Sequence, residues 1–131
     1  MIRAIFLTTL LFFSSSFLYK DKFQQQIHFD NVYYYNNQNG QFTWSIFVAE
    51  NVTVLSKINY VNYYLDPSFN KGLYGDKPIT VYGNNFSLCR SGASEFNLKI
   101  EIGYQNSEIL HTIYHLDLHT NNKRRSNNPC N

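Results

Sequence analysis

The sequence predicts an all-β fold, an antiparallel β-sandwich of about seven strands. Three observations lead there. Apolar and polar residues alternate at period two in short runs, the pattern of a half-buried strand. Aromatic residues make up 18% of the chain, with eleven Tyr, eleven Phe and one Trp, and large rings favour a pleated surface over a helix. Clusters of turn-forming residues separate the runs at close spacing, as in sandwiches.

The first run, Phe23 to Tyr35, is polar and aromatic, and Phe23, Ile27, Phe29, Tyr33 and Tyr35 share one parity. It reads as a long edge strand. Asn36-Asn37-Gln38-Asn39-Gly40 is a turn, with Asn-Gly its strongest signal. Phe42 to Val48 is a second strand, with Phe42, Trp44, Ile46 and Val48 on one face and Thr43, Ser45 and Phe47 on the other. Ala49 to Ile58 reads as a connection with room for one helical turn. Tyr60 to Leu65 is a strand with Val61, Tyr63 and Leu65 inward; Asp66-Pro67 stops it, because proline has no N–H for a ladder. Ser68 and Phe69 follow on a loop that runs through Gly72, Gly75 and Pro78. Ile79 to Tyr82 and Phe86 to Arg90 are short strands around a Gly83-Asn84-Asn85 turn, and Ser91 to Ser94 is a tight loop. Phe96 to Gly103 alternates most cleanly, with Phe96, Leu98, Ile100 and Ile102 inward. Leu110 to Leu118 closes the domain with Tyr114 and Leu116 in the core, and the chain shows no internal repeat.

Length and charge bound the function. A chain of 131 residues is one domain, long enough for one real core. Charged residues are 15% and the net charge is +2, so no strongly electrostatic partner is implied. The only basic cluster is Lys123-Arg124-Arg125 in a polar segment, which reads as solvated tail; no nucleic-acid partner is indicated. Residues 120–131 lack apolar content and are expected to be disordered.

The N-terminus looks like an address. One positive charge at Arg3 precedes an apolar run from Ala4 to Phe13, and Ser14-Ser15-Ser16 supplies small residues suited to cleavage. Residues 1–22 are read as a signal peptide or N-terminal anchor, and the domain as residues 23–119. Export after cleavage is the expectation. An uncleaved anchor needs the serines to be spanned, since a membrane helix takes about 20 apolar residues, and only then would the chain touch a membrane. A hydrophobic first strand is the remaining reading. In an exported chain Cys89 and Cys130 are able to pair; the alternative is two free thiols. Asn51-Val52-Thr53 and Asn85-Phe86-Ser87 have the glycosylation pattern, which acts only in a eukaryotic secretory pathway.

Four groups of residues, in order, carry a resemblance: Trp44-Ser45-Ile46-Phe47-Val48; Ile58 to Leu65; Pro67-Ser68-Phe69; and Ser91-Gly92-Ala93-Ser94-Glu95-Phe96 heading the strand from Asn97 to Tyr104. Over roughly Gln41 to Leu118 the chain resembles the YEATS domain, most of all its prokaryotic branch. The resemblance implies an immunoglobulin-like sandwich whose end loops read acylated lysine on a protein tail. Ser68 and Phe69 match the second half of one loop pattern, His-x-Ser-Phe. Ser91, Gly92 and Phe96 match the other, Ser-Gly-aromatic-small-x-Phe. Such a slot stacks a neutral planar amide between rings and holds its carbonyl with a hydroxyl and backbone N–H groups; charged lysine is disfavoured because it must shed hydration. The chain departs from the pattern at Asp66, where readers have histidine, and at Ala93, where they have the aromatic that closes the slot. Trp44, Tyr74 and Tyr82 are candidates for a substitute wall. The ligand site is therefore assigned to Asp66, Ser68, Phe69, Ser91, Gly92 and Ala93, with a protein or peptide, including one carrying acylated lysine, as partner.

Enzyme chemistry finds no support. No nucleophile–histidine–acid motif, phosphate-cradling glycine loop or paired carboxylates are present, and no cofactor is implied. His111, His115, His119 and Asp117 share one strand parity. Eight residues of strand span about 26 Å, too far for one metal, so these are read as surface histidines and no metal site is assigned. Two functions stand: a binding module using the two end loops, or an exported structural or adhesive domain that keeps the sandwich and has lost the slot.

Overall fold

The computed structural model describes residues 26–65 and 77–131. The N-terminal address and the segment from Asp66 to Asp76 lie outside the described residues. Seven strands form two sheets: β1 (Phe29–Asn36), β2 (Gln41–Val48), β3 (Ile58–Tyr64), β4 (Ile79–Val81), β5 (Leu88–Gly92), β6 (Asn97–Tyr104) and β7 (Ile109–His115). One sheet has the order β1-β2-β5 and the other β4-β3-β6-β7, and all pairings are antiparallel. The expected sandwich is present.

The alternation explains the two layers. Trp44, Ile46 and Val48 of β2 are buried against Val61 and Tyr63 of β3 and Leu98, Ile100 and Ile102 of β6. Rings bridge the layers: Trp44 meets Phe96 edge-on at 5.9 Å and Phe29 meets Tyr63 at 6.3 Å. Phe96 and Tyr114, both expected in the core, pack at its rim, half-buried. Between β2 and β3 a single turn of helix, α1 (Val52–Leu55), is started by Asn51, whose Oδ1 accepts from the Val54 N–H at 3.0 Å.

Several boundaries differ from the sequence expectation. β1 begins at Phe29, although Ile27 before it is buried. Phe86 is not a strand residue: it sits in the left-handed region at φ 56°, and its carbonyl accepts from the Tyr63 hydroxyl at 2.7 Å. Ser91 and Gly92 are not loop but the last ladder positions of β5, opposite Thr43 and Phe42. β7 ends at His115, after which residues 116–120 turn a corner that still buries Leu116 and Leu118.

The tail is not disordered. A short 3-10 turn (Asn121–Lys123) follows the corner, and Arg124 bridges to Tyr33 on the free edge of β1, the Arg125 N–H donating to the Tyr33 carbonyl at 2.7 Å. Lys123 Nζ lies 2.6 Å from Asp30 Oδ1. The chain then reaches β5, where Cys130 forms a disulfide with Cys89. Composition misses this strap because backbone pairing, an ion pair and a covalent bond hold it, not apolar burial. It also covers part of an edge strand, which would otherwise offer unpaired backbone groups to other chains.

Candidate functional site at one end of the sandwich

Four connections meet at one end of the sandwich. β2 opens there, so the turn between β1 and β2 lies beside the end of β5 through the Phe42–Gly92 pair. The 93–96 connection leaves the same point for β6. Tyr64, the last residue of β3, pairs with Lys99 near the start of β6, so the chain exits toward Asp66 at this end. The 116–120 corner follows β7, whose last residue, His115, pairs with Asn97.

The structure brings three of the six assigned residues together here: Ser91, Gly92 and the exposed Ala93. Asp66, Ser68 and Phe69 lie outside the described residues; the last residue before them, Leu65, is buried. Ser91 is on the outer face, its hydroxyl 3.1 Å from Thr43 Oγ1. Gly92 has the inward parity, next to Phe42. Two of the substitute walls read from the sequence do not serve. Trp44 is fully buried, and the exposed Tyr82 lies toward the opposite end, its ring 6.5 Å from that of Tyr60. Tyr74 lies outside the described residues.

The sequence reading missed Tyr35 and Phe42 as surface groups. Both have the inward parity of core residues, but their strands run past the core at this end. Their rings lie 4.9 Å apart, tilted by 47°, and Tyr33 meets Phe42 edge-on at 5.8 Å. Together with Gly40, Leu118, His119 and Arg124 they line a cleft of about 380 Å³. The Arg124 guanidinium sits 5.9 Å from the centroid of the Tyr35 ring, within cation–π range. The cleft thus offers aromatic faces with a cationic mouth.

A charged cluster adjoins the cleft. Glu95, in the 93–96 connection, accepts from the Leu118 N–H at 3.0 Å, meets His119 Nδ1, and has its other oxygen 2.9 Å from His115 Nε2. Hydrogen bonds from His119, from the Leu118 backbone and from His115 hold the Glu95 carboxyl down at about 2. Partial burial opposes ionisation of Asp117, but the Thr120 hydroxyl and the backbone N–H groups of His119 and Thr120 keep it well below the usual carboxylate range. The Glu95 hydrogen bond and the Asp117 charge push His119 above its ordinary value.

A family model of the prokaryotic YEATS domain matches residues 42–117, from near the start of β2 past the end of β7. The chain belongs to the prokaryotic YEATS domain family. Its fold is accordingly the immunoglobulin-like sandwich of YEATS domains. Among solved structures it resembles that of the yeast AF-9 homolog protein Yaf9, with 21% identity, 71% of this chain and 70% of that chain covered, and a TM-score of 0.54. It also resembles the Yaf9 YEATS domain recognizing an H3K122suc peptide, with 19% identity, 73% and 78% covered, and a TM-score of 0.52. At these identities the likeness concerns the fold. No curated protein matches the chain. Among the described residues no helix is long and apolar enough to cross a membrane.

Proposed function

We propose that this YEATS-family domain is a non-enzymatic binding module that takes a peptide, or a neutral acylated-lysine-like side chain, at the loop end of the sandwich. Membership of a family of reader modules carries the reading. A solved relative, the Yaf9 YEATS domain, recognizes an H3K122suc peptide, which supports a modified peptide as the ligand class. The convergence of Gly92, Ala93, the exit toward Asp66 and the Tyr35–Phe42 cleft gives the module a surface for it. Phe69 is assigned the ring face, Ser68 the hydroxyl, and the backbone around Gly92 to Ser94 the donors. Ser91 is kept as a support of the loop through Thr43, and Asp66 as a group favouring a cationic neighbour on the ligand.

One observation favours a second reading. Ala93 is exposed and carries no ring, so the slot lacks a wall, as a structural or adhesive domain would allow. The Cys89–Cys130 disulfide supports an oxidising compartment, and with it the export proposed for the N-terminal segment, for either reading. Titration of acetylated, crotonylated and unmodified lysine peptides against wild type and Phe69→Ala separates the two. Binding that Phe69→Ala abolishes supports the reader. No binding by wild type leaves the structural reading, and equal binding by Phe69→Ala moves the site elsewhere.

A further inference from the structure

We propose that Glu95, His115, Asp117 and His119 form a binding site for a divalent transition metal of the zinc class. The sequence alone argues against a metal on His111, His115, Asp117 and His119, because positions along one extended strand diverge. The fold removes that objection. β7 stops at His115, the corner turns His119 back, and Glu95 arrives from the connection ahead of β6. Ligand-type atoms of Glu95, Asp117 and His119 all lie within 4.8 Å of one another. His119 Nδ1 is 3.2 Å from Asp117 Oδ1 and in contact with Glu95 Oε1, while His115 Nε2 is 2.9 Å from Glu95 Oε2. Ligand atoms around tetrahedral zinc are separated by about 3.3 Å, given metal–ligand distances near 2.0–2.2 Å. Glu95, Asp117 and His119 lie near this spacing, and His115 joins them through Glu95.

A second feature, outside the cluster, points the same way. His115 Nδ1 lies 2.8 Å from Asn97 Oδ1, a carboxamide oxygen that only accepts. With Nδ1 turned to that oxygen, Nε2 is the ring nitrogen that faces the Glu95 carboxylate, 2.9 Å away. Donation from the second ring nitrogen to an oxygen is also how metal-bound histidines are oriented. Two imidazoles with two carboxylates suit zinc, cobalt, nickel or copper, whereas calcium and magnesium prefer oxygen alone. The site would tie the loop after Gly92 to the corner before the tail, and it stands independently of what the loop end reads.

The test is isothermal titration of Zn²⁺ into the full chain, freed of metal by a chelator and carrying no histidine tag. One equivalent is expected, with a dissociation constant in the micromolar range or tighter. Glu95→Gln and His119→Ala should each weaken it at least tenfold. His111→Ala should not change it, since His111 lies 4.0 Å from Glu101, apart from the cluster. His115 and His119 are exposed, so their replacement empties no core, and circular dichroism of the metal-free variants checks the fold. Co²⁺ should give the visible absorption of a nitrogen–oxygen site in wild type and lose it in His119→Ala. Absence of binding by wild type, equal binding by Glu95→Gln and His119→Ala, or equal loss in His111→Ala would overturn the assignment.

Discussion

The side chain of Asn31 pairs with the backbone of Asp117 as a strand would. Its Nδ2 donates to the Asp117 carbonyl at 2.7 Å, and its Oδ1 accepts from the Asp117 N–H at 3.1 Å. The same oxygen accepts from the Tyr114 hydroxyl at 2.6 Å. Asn31 is fully buried on β1 and Tyr114 is on β7, so this one carboxamide joins the outer strands of the two sheets and sets the corner that carries Asp117 and His119. Asn31→Ala strands three polar groups in a low-dielectric seam. It should lower the unfolding free energy by about 1–3 kcal/mol, the cost of unsatisfied buried groups. Urea unfolding with an unchanged m-value measures it, and a loss below half a unit would mean that water replaces the carboxamide.

Leu98 reports on the core itself. It is fully buried on β6 between the two sheets. Leu98→Ala should cost about 2–5 kcal/mol, the transfer term plus the cavity left in a packed site. The same denaturation experiment decides, and near-wild-type stability would place the core elsewhere.

A backbone strain is held by one hydroxyl. Phe86 occupies the left-handed region, which crowds a bulky side chain, and its carbonyl is fixed by Tyr63. Burial pushes the Tyr63 phenol far up, so it stays a donor at any physiological pH. Tyr63→Phe should cost about 1–3 kcal/mol while keeping the ring packing against Phe29. Amide hydrogen exchange should rise around residues 83–88 before it rises in β6. Uniform exchange would show that the turn does not depend on the hydroxyl.

The disulfide closes a separation of 41 residues. The chain-entropy model gives about 4 kcal/mol for such a loop. Cys130→Ser, or reduction of wild type, should therefore lower stability by up to that amount and expose residues 124–131 to proteolysis. Resistance equal to the oxidised chain would show that the Arg124–Tyr33 bridge and the Lys123–Asp30 pair suffice to hold the strap.

The layered core was legible in the sequence because its signal is periodic. Phe42 through Val48, Val61 through Leu65 and Leu98 through Ile102 each declare a face by parity alone. The order of these segments with Ser91-Gly92 also declared the family. Features set by single contacts carry no period. The strap depends on Cys130 and a backbone bridge, the Phe86 turn on one hydroxyl, and the Glu95 cluster on where β7 happens to stop. Tyr35 and Phe42 have core parity, and only the end of the neighbouring strand tells that they emerge. Of the assigned site, Ser91 and Gly92 belong to the ladder of β5, and Ala93 follows it at the loop end.

Ala93 is the position at which the proposed reader is most easily improved. It is exposed, one residue past the ladder, beside the inward-facing Gly92 and the Phe42 ring. An indole there would add an aromatic face to the proposed slot, and an aromatic pair is worth about 0.5–1.5 kcal/mol beyond its buried area. Ala93→Trp should tighten acyl-lysine peptide binding by roughly twofold to tenfold, by the usual conversion of such energies. Unmodified lysine should gain less, because its ammonium must be desolvated to enter. Calorimetric titration of both peptides into wild type, Ala93→Trp and the double variant with Phe69→Ala checks this. The gain should vanish in the double variant if the two rings face one amide. A gain that persists there, or that is equal for modified and unmodified lysine, would mean that the indole merely adds apolar surface and that no slot exists at this end.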